Sequence, residues 1–299
     1  MTATPLPLPT RQPLGPDGPL VGPIAWGMWR LAGSREEAAR LVHCALDNNM
    51  DLLDTADIYG FDGTGGFGDA EALLGEVIAA EPGLRQQMVL ASKGGIMPPL
   101  PYDQSAAYLR LAIDASLRRL RTERIDLYQI HRPDILAHPA EVAQTLDEAI
   151  AAGKIGQVGV SNFTQPQIEA LQHFLTVPLA TTQPEISPLR ITCLENGELD
   201  QAMRLGLRPL AWSPLGGGRL LAPDTERERA VAAALDAVYG EDRSVAALSW
   251  LMAHPAAIIP ILGTQKPERI AAAAKAVEVR WTREQWYAVL VAARGERLP

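Results

Sequence analysis

Short, nearly unbroken apolar runs alternate along this chain with longer stretches in which apolar residues recur every three or four positions. The runs are Val21–Gly27, Leu52–Asp54, Met88–Ser92, Leu127–Ile130, Gln157–Val160, Ala180–Gln183, Arg208–Trp212 and Ile258–Ile261. Continuous apolar character is expected of parallel strands covered on both faces. The periodic stretches predict helices over Arg35–Asn48, Asp69–Ala80, Gln104–Leu120, Ala140–Ala151, Gln165–His173, Leu194–Leu205, Arg227–Tyr239 with Ser244–Ala253, and Lys266–Ala274. Four helix starts carry a hydroxyl followed three residues later by Glu or Gln: Ser34 and Glu37, Thr164 and Gln167, Thr225 and Glu228, Thr282 and Gln285. Each pair can satisfy two orphan backbone donors reciprocally.

Eight such strand–helix units in 299 residues predict an α/β fold, a (β/α)8 TIM barrel. No linker or shift in composition divides the chain, so residues 1–299 read as a single barrel domain. A doubly wound sheet is the alternative; it is weakened because no G-x-G-x-x-G follows the first strand. The proline-rich Met1 to Leu20 is expected to cover the barrel bottom. From Thr282 onward, Trp286, Val289 and Leu290 share one face of an extra C-terminal helix.

The 35 acidic residues against 27 basic ones, net −8, argue against nucleic acid as a partner. A phosphorylated small ligand is compatible with that charge, because local groups hold it. Cys44 and Cys193 have no metal-ligand spacing and read as small packed hydrophobes, and no metal site is expected. No apolar stretch near the start is long enough for a secretory signal or a membrane span, so the cytoplasm is the expected compartment.

Strands usually finish in turn residues. Here three successive runs finish on Asp54, Lys93 and His131, and Tyr59 follows Asp54 by five positions. Any one of these alone reads as a cap, a packed ring or a solvated amine. Together, at the strand ends where barrels of this type build their sites, they make a proton-donating set. A phenol near pKa 10 is a poor donor at neutrality. A neighbouring ammonium is expected to lower that value, with a carboxylate holding the ammonium in place. Tyr59 is then the donor, Lys93 its tuner, Asp54 the anchor and His131 the orienter of a substrate oxygen.

The segments LLDTADIYG, VLASKGG, DLYQIHRPD, GKIGQVGVSNF, EISPL, AWSPLGGGRL and PILGTQKPERI occur in an order that resembles the aldo-keto reductase superfamily and its bacterial predicted-oxidoreductase branch. The similarity runs from about Gly22 to the C-terminus. It implies a metal-independent, reversible NAD(P)H-dependent carbonyl reductase acting on a small-molecule aldehyde or ketone, with Asp54, Tyr59, Lys93 and His131 as catalytic tetrad. It places Ser161, Asn162 and Gln183 at the nicotinamide carboxamide and Trp212 stacked on the nicotinamide ring. Ser213, Pro214, Leu215, Gly216, Gly217 and Arg219 would approach the pyrophosphate. Gly263, Thr264, Lys266 and Arg269 would hold an adenosine 2′-phosphate, which implies NADPH in preference to NADH.

Gly27, Met28 and Trp29 match the nicotinamide end of strand one. Trp29, Trp26 and Phe61 are expected to form an aromatic substrate wall beside Tyr59 and His131. One departure stands out: Ala271 to Ala274 replace the acid and amide with which many members grip the adenine, so that contact does not carry over. A monomer is the default reading. Two other functions fit parts of the pattern: Lys93 as a Schiff-base nucleophile in an aldolase, and a nucleotide-binding regulatory subunit with little turnover.

Overall fold

A computed structural model describes residues 4–298. A short antiparallel hairpin, β1 (Gln12–Pro13) and β2 (Leu20–Val21), precedes the main sheet. Eight parallel strands then close into a barrel: β3 (Ala25–Gly27), β4 (Leu52–Asp54), β5 (Val89–Gly94), β6 (Ile125–Ile130), β7 (Ile155–Ser161), β8 (Thr181–Gln183), β9 (Arg208–Ala211) and β10 (Ile259–Leu262). Closure is made by β10 pairing with β3, Ile261 opposite Ala25. Around the barrel run α1 (Arg35–Asp47), α2 (Asp69–Ala80), α3 (Ala106–Leu120), α4 (Pro139–Ala151), α5 (Gln165–Phe174), α6 (Thr192–Glu195), α7 (Glu198–Leu205), α8 (Glu226–Asp236), α9 (Arg243–Met252), α10 (Pro267–Ala273) and α11 (Arg283–Arg294).

All four expected capping boxes form, at Ser34, Thr164, Thr225 and Thr282. The motif is local, so it survives whatever the tertiary packing does. Two expected elements divide. The apolar run Val21–Gly27 predicts one strand, but Val21 ends the hairpin and Ala25 begins the barrel. Between them Pro23 has no N–H to give a ladder, and a side chain on Gly22 would meet the Asn49 carbonyl. The helix expected over Leu194–Leu205 breaks into α6 and α7 at Gly197, whose φ of 88° is left-handed.

The hairpin closes the barrel bottom. Leu14 is wholly buried and joins Leu52, Ala91, Leu127, Ala180, Leu210 and Ile259 in the barrel interior. Burying a leucine in this way contributes about 1.5–3 kcal/mol. A larger core lies between strands and helices. There α11 docks through Trp286, whose ring stacks on Trp250 at 4.8 Å. Each indole N–H donates to the other tryptophan's carbonyl at 3.0 Å. Neither cysteine is in a disulfide. No helix among the described residues is long and apolar enough to cross a membrane.

Candidate active site

With its floor plugged by Leu14, the barrel offers its chemistry at the opposite end, where the strands finish. Backbone bonds lace those ends in register. Met28 donates to the Asp54 carbonyl, Asp57 to the Lys93 carbonyl and His131 to the Gly94 carbonyl, all at 2.9–3.0 Å. Asp54, Lys93 and His131 therefore lie at or just past the ends of three neighbouring strands, Asp54 in register with Ala91 and Lys93 with Gln129. After Asp54 the chain turns tightly, Tyr59 N–H donating to the Ala56 carbonyl, and the turn returns the phenol over β5.

The Lys93 ammonium sits at the centre of this group. Its Nζ donates to Asp54 Oδ2 at 2.7 Å, to the Thr55 carbonyl at 2.9 Å and to the Tyr59 hydroxyl at 3.1 Å. Three donors meet three acceptors, which a wholly buried ammonium requires. Tyr59 packs edge-on against His131, ring centroids 5.8 Å apart. The four side chains expected to meet do meet.

The electrostatics differ from expectation in one respect. Burial works against the Lys93 charge, but Asp54 and Tyr59 outweigh it and hold the ammonium above its ordinary pKa. Tyr59 is raised too: its burial exceeds the lowering effect of Lys93. The expected depression of the phenol is thus corrected. This environment keeps the proton on Tyr59 rather than forming a resting phenolate. His131 is pushed well below the usual imidazole value by burial, then by the Lys93 and Arg132 charges. A neutral imidazole offers one N–H and one lone pair. Its Nδ1 is buried and has no partner among the described residues.

Beside the tetrad, Ser161, Asn162 and Gln183 are tied together. Asn162, at a left-handed φ of 61°, donates from Nδ2 to Ser161 Oγ at 2.9 Å and to the His131 carbonyl at 3.2 Å. Ser161 Oγ donates to the Gln183 carbonyl at 2.9 Å. Gln183 spends amide hydrogen on Asp54 Oδ1, at 3.0 Å, which links this trio to the tetrad. Trp212 follows β9 directly and is half-buried, its indole donating to Asn162 Oδ1.

The following turn is all left-handed at its key positions: Ser213 at φ 54° and Gly216, Gly217 and Gly218 at 60°, 69° and 95°. A side chain on Gly217 or Gly218 would point into open space. Pro214 is buried and Leu215 half-buried. Arg219 is turned away to clamp this turn, bonding the Gly216 carbonyl at 3.0 Å and Glu228 at 3.2 Å. After β10, Gly263 and Thr264 are half-exposed and Lys266 and Arg269 exposed.

The family profile described as Aldo/keto reductase family matches residues 23–290. The chain belongs to that family. A 6-dehydroglucose reductase of Novosphingobium aromaticivorans is 68% identical over 305 residues, covering 100% of both chains. A second 6-dehydroglucose reductase, from Agrobacterium fabrum, is 35% identical over 92% of this chain and 95% of its own. Oxidoreductase YdhF of Escherichia coli is 36% identical over 96% of this chain and 98% of its own. Among solved structures, a glycerol dehydrogenase from Gluconobacter oxydans superposes with TM-score 0.81 at 26% identity, over 100% of this chain and 98% of its own. This aldo/keto reductase is therefore an NAD(P)H-dependent oxidoreductase.

The mouth of this aldo/keto reductase fits a nicotinamide dinucleotide. A turn of glycines whose missing side chains leave open space lets backbone approach a pyrophosphate closely, and exposed Lys266 and Arg269 stand beside Gly263 for an anion. Arg30, which no motif marks, lies at the same place. Its guanidinium covers the Trp29 ring at 4.2 Å, and both would contact a side chain on Gly263.

Of the expected aromatic wall, Trp26 is placed elsewhere. Trp26 is wholly buried, its indole donating to the Thr264 carbonyl at 3.0 Å. Trp29 is 54% exposed and leans on the β10 loop. Phe61 pairs with Phe67, within a turn that Asp62 ties to Thr64 and Gly65. Met28, expected at the cofactor, is wholly buried in the outer core. Gly27 is buried too, since a side chain there would strike Ile261, and its carbonyl accepts from Gln265. Gln129 and Thr181 were missed: each lies two residues before a site residue, His131 and Gln183, and so faces the same side of its strand.

Proposed function

We propose that this aldo/keto reductase uses NADPH to reduce the aldehyde of 6-dehydroglucose, or a close polyhydroxylated aldehyde, to the primary alcohol, with Tyr59 as proton donor. The substrate class is supported by full-length 68% identity to the Novosphingobium 6-dehydroglucose reductase. The observation that carries the mechanism is the buried Lys93 ammonium held between Asp54 at 2.7 Å and the Tyr59 hydroxyl at 3.1 Å.

When bound, NADPH supplies the hydride that forms the new C–H bond. Tyr59 gives its proton to the carbonyl oxygen as charge develops there. Lys93 donates to the phenol oxygen and so stabilises the phenolate left behind. Asp54 keeps Lys93 charged and aimed. Neutral His131 directs the carbonyl oxygen toward Tyr59, and Phe61 flanks the substrate on the tied turn. Ser161, Asn162 and Gln183 would receive the carboxamide, and Trp212 would stack on the ring it belongs to. The Ser213–Arg219 backbone suits the pyrophosphate. Lys266 and Arg269 favour the 2′-phosphate of NADPH over NADH. The two free thiols support a reducing compartment, the cytoplasm.

A Schiff-base role for Lys93 is disfavoured, because it needs a neutral amine and this one is held above its ordinary value. The test is direct. Mixing the protein with NADPH and 6-dehydroglucose is expected to consume NADPH and yield glucose in equal amounts. No consumption with this or other sugar aldehydes would overturn the reading.

A further inference from the structure

The barrel interior holds a polar relay that runs from the tetrad across to β8. Lys93, Gln129, Gly159 and Thr181 are register partners on β5, β6, β7 and β8, and so form one layer across four neighbouring strands. Gln129 and Thr181 are wholly buried. Gly159 stands between them without a side chain. A Cβ there would fall 2.0 Å from Thr181 Oγ1 and 3.1 Å from Gln129 Cγ. That gap lets Thr181 Oγ1 donate to Gln129 Oε1 at 3.1 Å, while Gln129 Nε2 donates to Asp54 Oδ1 at 3.3 Å.

The direction of the relay follows from what each group can do. A carboxylate only accepts, so the nitrogen end of the Gln129 amide must face Asp54. Its oxygen then faces Thr181, whose hydroxyl must donate. Asp54 thus has Oδ1 held by Gln129 and Gln183, leaving Oδ2 for Lys93 at 2.7 Å. We propose that Gln129 and Thr181, admitted by Gly159, are positioning residues that fix Asp54 and, through it, aim Lys93 at Tyr59. The inference rests on the reading of Tyr59, Lys93 and Asp54 as the proton-donating unit.

The test compares Thr181→Val, which keeps shape and removes the donor, with Thr181→Ser, which restores it. Gln129→Leu and Gly159→Ala attack the same relay from its other members. In NADPH-dependent aldehyde reduction, kcat is expected to fall about tenfold in Thr181→Val, as for one lost hydrogen bond between neutral groups. KM for NADPH should hold. The alkaline fall in kcat should move to lower pH, because Asp54 raises both Lys93 and Tyr59. Thr181→Ser should return both readouts to the wild-type values.

An unchanged profile, or a lower kcat with an unmoved alkaline limb, overturns the proposal in favour of packing alone. Crystal structures of wild type and Thr181→Val give a second readout that needs no turnover. A Lys93–Asp54 contact longer in the variant supports the relay, and an identical contact overturns it. If wild type reduces no aldehyde, the functional reading falls while this comparison still decides the positioning role.

Discussion

The Trp212 indole donates its N–H to Asn162 Oδ1 at 3.0 Å, joining the end of β9 to the turn after β7. One bond thus couples the ring proposed to stack on nicotinamide to the amide proposed to hold its carboxamide. Asn162→Gly removes that amide and keeps the left-handed backbone that a glycine adopts freely. Its dissociation constant for NADPH should rise about tenfold, read from quenching of tryptophan fluorescence, as for a bond worth about 1.5 kcal/mol. An unchanged constant would remove Asn162 from the cofactor site.

Lys93 and Asp54 are both buried, so removing one partner leaves the other's desolvation uncompensated. Lys93→Met should lower unfolding free energy by about 3–5 kcal/mol in urea titrations. Adding Asp54→Asn to that variant should recover part of the loss, the signature of a coupled pair. Additive losses would deny the coupling.

The pH profile follows from three directions. Tyr59 and Lys93 are raised, so their protons are retained as pH climbs past neutrality. His131 is lowered, so it stays neutral as pH falls through the usual imidazole range. Reduction measured as kcat/KM should therefore be flat from about pH 6.5 to about 10, the reference imidazole and phenol values. A break near the imidazole value would assign His131 a charged role that its burial opposes.

Helices and strand ends were legible because their signals are local. The capping boxes at Ser34, Thr164, Thr225 and Thr282 need only four residues each, and all form. Asp54, Lys93 and His131 were legible because charge at the end of an apolar run is unusual. What failed depends on packing at a distance. Trp26 reads as a wall residue until the Thr264 carbonyl shows where its indole goes. The direction of the Tyr59 shift depends on burial that no motif encodes. Gln129 was hidden inside an apolar run, although its two-residue spacing from His131 placed it on the same face.

Lys266 and Arg269 are exposed cations after β10 and are proposed to hold the 2′-phosphate, so on that reading their loss affects it and little else. The double variant Lys266→Ala, Arg269→Ala is expected to weaken NADPH binding by about tenfold or more while leaving NADH binding within about twofold. Parallel titrations with the two cofactors check this. Equal losses for both would place the pair elsewhere on the nucleotide.

The central claim is that Tyr59 delivers the proton, and Tyr59→Phe tests it by removing one oxygen. Single-turnover reduction of 6-dehydroglucose with bound NADPH is the measurement. The variant should still bind NADPH with wild-type affinity and lose on the order of 10²–10⁴ in rate. A variant that reduces the aldehyde at the wild-type rate would contradict it.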